Sequence, residues 1–347
     1  MKEHINCDGK KPVCSFLLYI NNENSGFFFN KGLGTIGRND TPIDKDYQYN
    51  VASITKTLVA AIVLQLYEED KLSIEDPIKK YLEHLNFIKY EELHVDEGQK
   101  HQDSITIEML LNHTSGIADV FTDAETRFNI SVFFHPRRNY TAQKFYKRYF
   151  RYNLNKKPAN IPGEGYHYSD INYMLLGFII ENIEQKSLAE VIRKRILNPL
   201  NLQNTYFEFY EKEQGIGKRV DAFINKINIT KRVNTSYEWA GGGIVSTAEE
   251  MGIFIEALFN MKLFKDKETL KKMIDISKTS VFDKSYGLGI YKWKLGGKVF
   301  YGHGGFYGSI LAYSPEHQIT ISANIAQSSP TFDSGELIDK VIDIASQ

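Results

Sequence analysis

Cysteine is scarce in this chain, which carries only Cys7 and Cys14 among its 347 residues. Two cysteines cannot build a disulfide framework, so we expect both to be reduced thiols, and one local bridge between them stays open. No group of histidine and cysteine residues has the spacing of zinc ligands. These shortages exclude a disulfide-stapled scaffold and a structural zinc module.

An excess of either charge and a long apolar run are also missing. The 42 Lys and Arg residues nearly balance the 43 Asp and Glu residues, so the formal net charge is -1. A chain with that balance has no global field that attracts nucleic acid or an anionic membrane. No stretch reaches the roughly 18 consecutive apolar residues that a membrane span needs. With 42% hydrophobic residues, the composition is typical of a soluble globular protein.

A secretory leader is not evident in the first residues. Lysines at positions 10 and 11 precede an apolar run at 13–20, but four polar residues follow it and no small-residue cleavage site does. We therefore interpret 13–20 as a first strand. The chain as given is expected to be cytoplasmic, or extracytoplasmic if a leader was removed from it.

Strand patterns occur at both ends of the chain, with helix patterns between them. A hairpin is predicted from 16–20 and 27–29, and residues 58–66 are apolar on nearly every face, as in a buried helix. Further strands are predicted at 286–293, 298–301, 309–313 and 319–325, and a final helix at 336–345 with Asp333 as its cap. The predicted fold class is mixed α/β (α+β), with one antiparallel sheet from both chain ends, flanked by helices. The predicted sheet domain covers 1–69 and 241–347, and a mainly helical inserted domain covers 70–240.

Two patterns suggest other functions but have simpler explanations. Gly32, Gly34 and Gly37 satisfy a dinucleotide-binding fingerprint, but a loop at 38–42 follows instead of a helix, so no such cofactor is predicted. Residues 137–157 hold eight Lys and Arg residues among aromatic ones, as a nucleic-acid patch does. An amphipathic helix, which could also line a cleft, explains them better. Its apolar stripe would comprise Tyr146, Tyr149 and Phe150, and its water-facing side Lys144, Lys147, Arg148 and Arg151.

The stretch GYHYSDINY at 165–173 contains His167, Ser169 and Asp170, the three residue types of a hydrolase triad, within four consecutive positions. A working triad is assembled by the fold, and adjacent side chains in a strand diverge. No glycine elbow frames Ser169 either. We therefore expect no triad in this stretch.

Ser53 and Lys56 open the most apolar helix pattern of the chain. A spacing of three residues puts both side chains on one face of a helix, one turn apart. The start of a helix offers positive potential and free N–H groups, which favour an activated serine. A lysine that acts as a base must be partly deprotonated, and burial lowers its pKa. This pair is the candidate nucleophile and its partner.

Six landmarks beginning at this pair resemble the serine β-lactamase/penicillin-binding-protein-like hydrolases. They are VASITKTLVAAIVLQLYEEDKLSIEDPIKKYL, ITIEMLLNHTSGI, PGEGYHYSDINYMLLGFIIE, ILNPLNLQNTYF, WAGGGIVSTAEEMGIF and YGHGGFYGS. This family includes class C β-lactamases, D-Ala-D-Ala carboxypeptidases, D-aminopeptidases and esterases. The resemblance implies a β-lactamase/transpeptidase-like fold, an antiparallel sheet plus a mainly helical domain.

The resemblance also implies roles for residues in the cleft. Ser53 would be acylated, with Lys56 as its partner, and Tyr168 would shuttle a proton to the leaving group. His303 and Gly305 would belong to the family's Lys-Thr-Gly or His-x-Gly element on a cleft-lining strand. The backbone N–H groups of Ser53 and Phe306, the residue after that element, would form the oxyanion hole. No metal or organic cofactor is needed for this chemistry.

Two residues depart from the family pattern. Asp170 stands where the family has asparagine, and an ionised carboxylate there would favour the ammonium form of Lys56. Either Asp170 holds Lys56 charged and Tyr168 moves the protons, or Asp170 bonds backbone in the turn before a helix. His303 replaces the lysine of class C β-lactamases, and a histidine is mostly neutral at pH 7. We therefore expect weak β-lactamase activity.

The predicted function is a serine hydrolase that forms an acyl-enzyme on a peptide, D-amino-acid amide, β-lactam or ester carbonyl. The alternative is an acylable penicillin-binding sensor with little turnover. The expected partner is a small-molecule or peptide substrate, with no nucleic acid and no membrane span, and the sequence carries no signal for an oligomeric state.

Overall fold

The long strands lie near both ends of the chain and most helices lie between them, as the sequence predicts. In this computed structural model, residues 1–38, 41–215 and 217–347 are described. The strands are β1 (Ser15–Asn22), β2 (Phe27–Gly34), β3 (Tyr49–Asn50), β4 (Val95–Asp96), β5 (Gln99–Lys100), β6 (Tyr206–Phe207), β7 (Phe223–Ile224), β8 (Ile227–Asn228), β9 (Ile244–Ser246), β10 (Tyr291–Leu295), β11 (Lys298–Gly305), β12 (Ser309–Ser314) and β13 (Ile319–Asn324). The helices are α1 (Thr55–Glu68), α2 (Lys79–Leu82), α3 (Ile107–Leu111), α4 (Glu125–Phe134), α5 (Ala142–Arg151), α6 (Asp170–Glu184), α7 (Leu188–Ile192), α8 (Ile229–Arg232), α9 (Trp239–Gly242), α10 (Ala248–Phe259), α11 (Lys267–Ile274), α12 (Ser277–Ser280) and α13 (Ser334–Ala345).

The main sheet joins distant parts of the chain. Its order is β10-β11-β12-β13-β1-β2, and every neighbouring pair is antiparallel. The predicted first hairpin is confirmed, since Ile20 pairs with Phe29 across β1 and β2. The turn between β10 and β11 contains Gly296 and Gly297 at φ 51° and 75°, a conformation that glycine adopts at little cost. The mixed antiparallel fold class is therefore confirmed.

Helix α1 lies at the centre of the molecule. Eleven of its residues are buried, including Lys56, because it is covered on nearly every side. It packs against α6 and α9, while α10 packs on one face of the main sheet and α13 covers the other. Asp333 caps α13 through its side chain, as predicted. This burial explains why the α1 pattern is apolar all round.

Several local predictions are wrong. Cys7 and Cys14 form a disulfide instead of two free thiols. Arg148 is buried, because its guanidinium donates to Ser131 Oγ at 2.7 Å and to the hydroxyls of Tyr140 and Tyr152. The helix expected around it is confirmed as α5, with Tyr146 and Tyr149 buried. β10 begins five residues later than the predicted strand at 286–293.

The glycine pattern near position 32 lies on a strand. Gly32 and Gly34 belong to β2, and Gly32 faces the backbone of Asp44 so closely that a Cβ would overlap it. In the loop predicted at 38–42, Asn39 and Asp40 lie outside the described residues. No helix among the described residues is long and apolar enough to cross a membrane. The division into domains at 1–69, 70–240 and 241–347 stays a prediction.

Candidate active site

Ser53 lies in a tight turn between β3 and α1. It is the middle residue of a short 3-10 helix, Ala52–Ile54, that leads directly into α1. Ala52 has φ 50°, a left-handed conformation that costs a residue with a Cβ about 1 kcal/mol. The Val51 N–H donates to Ile244 O at 3.0 Å and ties the turn to β9. The turn thus fixes the serine at the start of the buried helix, where the sequence predicts it.

The side chain of Lys56 makes three hydrogen bonds. Its Nζ lies 2.6 Å from Asp170 Oδ1, 2.7 Å from Gly241 O and 3.0 Å from Ser53 Oγ. A lysine ammonium has three N–H donors, so each of them has an acceptor. The side chain is fully buried, and one of its acceptors is a carboxylate. The arrangement therefore fits the charged form of Lys56.

Asp170 is the first residue of α6 and contacts Lys56 directly. Of the two alternatives for this residue, the structure shows the ion pair with Lys56 and not a bond to backbone in the turn. The Asp170 N–H donates to Asp119 Oδ1 at 2.8 Å, so a second carboxyl lies behind the pair. Burial, together with the charge of Asp170, raises the pKa of Asp119 to about 7. Two carboxyl groups therefore lie close together next to the Lys56 ammonium.

Tyr168 lies next to both residues of the nucleophile pair. The Nζ of Lys56 is 5.0 Å from the centre of its ring. Burial, and then the charge of Asp170, raise the pKa of the Tyr168 phenol well above its usual value, while a hydrogen bond with Ser53 opposes them. Tyr168 is therefore neutral at physiological pH and within reach of the Ser53 hydroxyl. The structure brings together Ser53, Lys56, Tyr168 and Asp170.

His113 holds the backbone on both sides of Tyr168. Its carbonyl accepts from the His167 N–H at 2.9 Å, and its Nδ1 accepts from the Ser169 N–H at 3.2 Å. Asn172 Nδ2 also donates to Nδ1 at 3.2 Å, and the imidazole lies 4.2 Å from the Tyr168 ring, centre to centre. Burial, then the charge of Lys56, lower the pKa of His113 well below its usual value. The sequence predicts that His113, in the stretch LLNHTSGI, hydrogen-bonds a loop, and the structure confirms this. The sequence does not predict that the loop is the one that carries Tyr168.

His303 is buried on β11 and neutral. Its Nδ1 donates to Gly304 O at 2.7 Å, which fixes the tautomer, and its Nε2 accepts from the Tyr286 hydroxyl at 3.0 Å. Burial, and then the charge of Lys56, lower the pKa of His303 to about 3. The side chain therefore supplies no positive charge to the cleft.

Gly305 allows β11 to approach the serine turn. A Cβ at this position would overlap Val51 O and Ser309 Oγ, and it would lie 3.2 Å from the Cβ of Ala52. Ser309 Oγ donates to Val51 O at 2.9 Å and joins the two segments. Phe306 follows in the turn after β11, with 58% of its surface exposed. The predicted oxyanion donors thus belong to two segments that are in contact.

A third acidic side chain, that of Glu238, lies directly before α9 and interacts electrostatically with Asp170 and Lys56. Glu238 accepts a hydrogen bond from the Tyr307 hydroxyl, and burial is the main cause that raises its pKa to about 8. At Gly241, a Cβ would overlap Asp170 Oδ1 and would lie 3.5 Å from Lys56 Nζ, so only glycine leaves room for the ion pair. Among the described residues, no group of three His, Cys, Asp or Glu side chains is arranged to hold a metal ion.

The linear triad is excluded by the geometry. His167 Nε2 lies 2.7 Å from Asp123 Oδ2, near the surface. Ser169 Oγ donates to Ala118 O at 3.3 Å. Asp170 contacts Lys56 instead of either of them. The three side chains thus point to three different partners.

Comparison with known proteins agrees with this geometry. A family model described as Beta-lactamase matches residues 23–346. Protein flp of Staphylococcus aureus (strain MW2) is 30% identical over 224 residues, which are 62% of this chain and 39% of that protein. Putative penicillin-binding protein PbpX of Bacillus subtilis (strain 168) is 27% identical over 269 residues, 76% of this chain and 58% of that protein. The chain therefore spans about two fifths of the length of flp and less than two thirds of PbpX.

Solved structures share the fold. The D-amino acid amidase from Ochrobactrum anthropi SV3 complexed with D-phenylalanine superposes with a TM-score of 0.78 at 20% identity, covering 95% of this chain and 93% of that one. The D-stereospecific amidohydrolase from a Streptomyces species gives 0.76 at 22% identity, with the same coverage of both chains. With a family model over nearly its whole length and the matching fold, the chain belongs to the beta-lactamase family of serine hydrolases.

Proposed function

We propose that this chain is a hydrolase in which Ser53 forms an acyl-enzyme and Tyr168 moves the proton. The observation that carries the proposal is the set of three hydrogen bonds from Lys56 to Asp170, Gly241 and Ser53. Each ammonium proton is engaged, so Lys56 acts as a fixed positive charge beside the nucleophile. It stabilises the negative charge that develops on Ser53 Oγ during attack.

A neutral Tyr168 can relay the proton without being ionised. As Ser53 Oγ bonds to the acyl carbon, its proton passes to the phenol oxygen while the phenol proton passes to the leaving nitrogen or oxygen. The bond between the acyl carbon and the leaving group then breaks, and the leaving group departs protonated. Deacylation uses the same relay in reverse order, with water as the attacking group. The raised pKa of Tyr168 suits this role, because the residue ends each step as a phenol.

The carbonyl oxygen needs donors of its own. The N–H groups of Ser53 and Phe306 would provide them, since Gly305 brings the turn after β11 against the serine turn. Loss of one such donor typically costs about 3 kcal/mol of transition-state stabilisation.

The charges around Ser53 offer no anchor for a substrate carboxylate. Lys56 is the sole cation hydrogen-bonded to the candidate site in the part of the chain that the structure describes, and the Asp170 carboxylate neutralises it. The raised pKa values of Asp119 and Glu238, about 7 and about 8, leave these two acids partly or mainly uncharged at neutral pH. His303 is neutral and cannot anchor the carboxylate of a β-lactam. We therefore propose D-amino-acid amides, short peptides with a free amino group, and esters as substrates, with weak β-lactamase activity. The two similar structures, named as a D-amino acid amidase and a D-stereospecific amidohydrolase, support this class.

The second candidate is an acylable sensor that turns over slowly. It is favoured by the ion pair itself, because a Lys56 held as ammonium by Asp170 cannot take a proton from the deacylating water. In that case the acyl-enzyme would persist. PbpX, a relative, is itself named as a putative penicillin-binding protein.

One set of assays separates these candidates. Initial rates are compared for D-phenylalanine amide, its L enantiomer, a short-chain p-nitrophenyl ester and a chromogenic cephalosporin, with Ser53→Ala as control. Intact mass after incubation with penicillin is recorded in parallel. We expect turnover of the amide and the ester and slow turnover of the cephalosporin. A lasting adduct with no turnover supports the sensor, and faster cephalosporin turnover than ester turnover contradicts the proposed substrate class.

A further inference from the structure

One segment of the chain is strongly basic although the whole chain is nearly neutral. Between positions 126 and 163 there is no Asp or Glu, and there are nine Lys and Arg residues. The net charge of -1 for the whole chain hides this local excess. The local field of a surface depends on the distribution of charge as well as on its sum.

This segment folds into two packed helices, α4 and α5. Phe128 of α4 lies 6.1 Å from Phe145 of α5, ring centre to ring centre. Arg148 reaches from α5 to Ser131 of α4, and Arg127 donates to Tyr152 O at 3.2 Å. The pair of helices is therefore held together by apolar and polar contacts, and its outer side is a defined surface.

Three large apolar side chains lie on the outer side of α4. Ile130, Phe133 and Phe134 are 53%, 79% and 69% exposed. Their spacing of i, i+3 and i+4 puts them on one face of the helix, opposite the buried Phe128. An exposed apolar cluster of this kind marks a site that contacts a partner or a membrane.

The same segment carries seven exposed cations. They are Arg137, Arg138, Lys144, Lys147, Arg151, Lys156 and Lys157. Within the described ranges, none of these side chains forms an ion pair with an acid of the chain. We call this set, together with Ile130, Phe133 and Phe134, the α4–α5 surface.

We propose that the α4–α5 surface binds the headgroups of an anionic phospholipid membrane, with Ile130, Phe133 and Phe134 inserted at the level of the acyl chains. A basic surface with protruding aromatic and aliphatic side chains combines the two attractions that hold a protein on such an interface. An anionic membrane is proposed as the partner on charge complementarity, because seven exposed cations without an ion pair lie in the same segment as the apolar cluster.

Nucleic acid fits this surface less well. Proteins that bind single strands stack bases on exposed aromatic rings. The aromatic rings that alternate with the cations of α5, those of Phe145, Tyr146 and Tyr149, are buried in the core instead. The exposed apolar set also contains the aliphatic Ile130, which offers no π face.

The test is sedimentation of the full chain with lipid vesicles. Vesicles of phosphatidylcholine alone are compared with vesicles that also contain phosphatidylglycerol, at low and high salt. We expect binding to the anionic vesicles only, weakened by salt. The double variant Phe133→Ser/Phe134→Ser should have at least tenfold lower affinity for the anionic vesicles. The double variant Arg137→Gln/Arg138→Gln should lose about fivefold in affinity for each cation removed.

Matched controls use residues elsewhere on the surface. Val281→Ser removes another exposed apolar side chain, and Lys262→Gln/Lys267→Gln removes two other exposed cations. Neither control should change vesicle binding, and all of these variants should retain wild-type ester hydrolysis. The proposal is overturned if the Phe133→Ser/Phe134→Ser variant binds anionic vesicles as strongly as the wild type does. It is also overturned if the wild type does not bind anionic vesicles. Salt-dependent binding to a fluorescent oligonucleotide without vesicle binding overturns it in favour of nucleic acid.

Discussion

The Nζ of Lys56 lies 2.6 Å from Oδ1 of Asp170 and 3.0 Å from Oγ of Ser53. The shorter of the two distances joins the cation to a carboxylate, which gives the buried ammonium a counter-charge. The pair thus decides the protonation state of Lys56, and with it which residue of the site takes the serine proton. The choice between Lys56 and Tyr168 as the proton carrier is testable through this pair.

Replacement of Asp170 by asparagine should make the activity sensitive to pH. Without the carboxylate, the buried ammonium of Lys56 loses its counter-charge, and burial then favours the neutral amine. Since we propose that the charged form is the active one, kcat/KM of Asp170→Asn should decline as pH rises, where the wild type stays level. The measurement is a pH profile of ester hydrolysis for both proteins. Breaking the buried pair should also lower the free energy of unfolding by about 3 kcal/mol.

The opposite result would identify Lys56 as the base. If neutral Lys56 accepts the serine proton, Asp170→Asn would raise kcat/KM in the same range. A Lys56→Gln variant serves as the control, because neither model allows a pH effect from that position.

The sequence predicts the site better where chemistry depends on local spacing than where it depends on contacts between distant segments. The three-residue step from Ser53 to Lys56 places both side chains on one helix face, and the structure shows them hydrogen-bonded. The match of Tyr168 to the family motif likewise places it beside Lys56. The burial of Arg148 was not predictable from α5 alone, because its acceptors Tyr140 and Ser131 lie outside that helix. A helical pattern describes one face of one element and not what packs against it.

The disulfide illustrates the same limit. Cys7 and Cys14 are seven residues apart, and their number alone favours two thiols. Their pairing follows from the backbone path, in which Asn6 and Val13 are joined by two hydrogen bonds of 2.9 and 3.0 Å. These contacts bring the two cysteines onto adjacent segments, and no spacing rule contains that information.

Substitution of His113 should lower kcat with little change in KM. The Nδ1 of its imidazole accepts hydrogen bonds from the Ser169 N–H and from Asn172 Nδ2, so loss of the side chain frees the segment directly after Tyr168. The main-chain carbonyl of residue 113 still accepts from the His167 N–H. A misplacement of about 1 Å in a reacting group costs about a hundredfold in rate, and we expect that loss in His113→Ala. His113→Asn should retain more of the rate, because its side-chain oxygen can accept near the position of Nδ1 and asparagine tolerates φ 63°.

The rates are measured as kcat and KM for the ester substrate, with thermal unfolding as a check on folding. His113→Gln is the matched control, since its longer side chain carries the amide beyond the position of Nδ1. Equal kcat values for the Asn and Gln variants would argue against a positioning role, as would a folded His113→Ala protein with wild-type kcat.

Two neighbouring glycines of β11 should respond differently to alanine. A Cβ at Gly305 would overlap Val51 O, whereas a Cβ at Gly304 meets no atom nearer than 3.8 Å. Gly305→Ala must therefore push β11 away from the serine turn, at a cost of about 1–3 kcal/mol in the free energy of unfolding. Its kcat/KM should fall by about a hundredfold, because the Phe306 N–H moves with the strand.

Gly304→Ala provides the matched comparison, because it adds the same methyl group to the same strand. It should leave both kcat/KM and the urea midpoint close to wild type. A similar loss of activity in both variants would mean that the end of β11 tolerates an added methyl group at neither glycine, and the close approach of Gly305 would then not explain the loss.

The buried neutral state of His303 should make the protein less stable at low pH. The folded-state pKa is lowered from 6.5 to about 3, so between these values the unfolded chain binds a proton that the folded chain does not. The stabilising contribution is therefore present above pH 6.5 and is lost as the pH falls toward 3, by at most about 1.4 kcal/mol per pH unit. Asp119 and Glu238 act in the opposite direction, because their raised pKa values of about 7 and about 8 make the folded state the stronger proton binder.

Comparison with His303→Gln isolates the histidine, because the variant keeps both carboxyls and cannot titrate at position 303. Urea unfolding is measured for both proteins from neutral to acidic pH. The variant is less stable at neutral pH, because it disturbs a buried hydrogen bond with Tyr286, and the difference in unfolding free energy should shrink as the pH falls below 6.5. A difference that stays constant over this range would show that His303 takes up its proton as easily in the folded chain as in the unfolded one. The cleft would then hold a cation at acidic pH, and the argument against binding a substrate carboxylate would fail there.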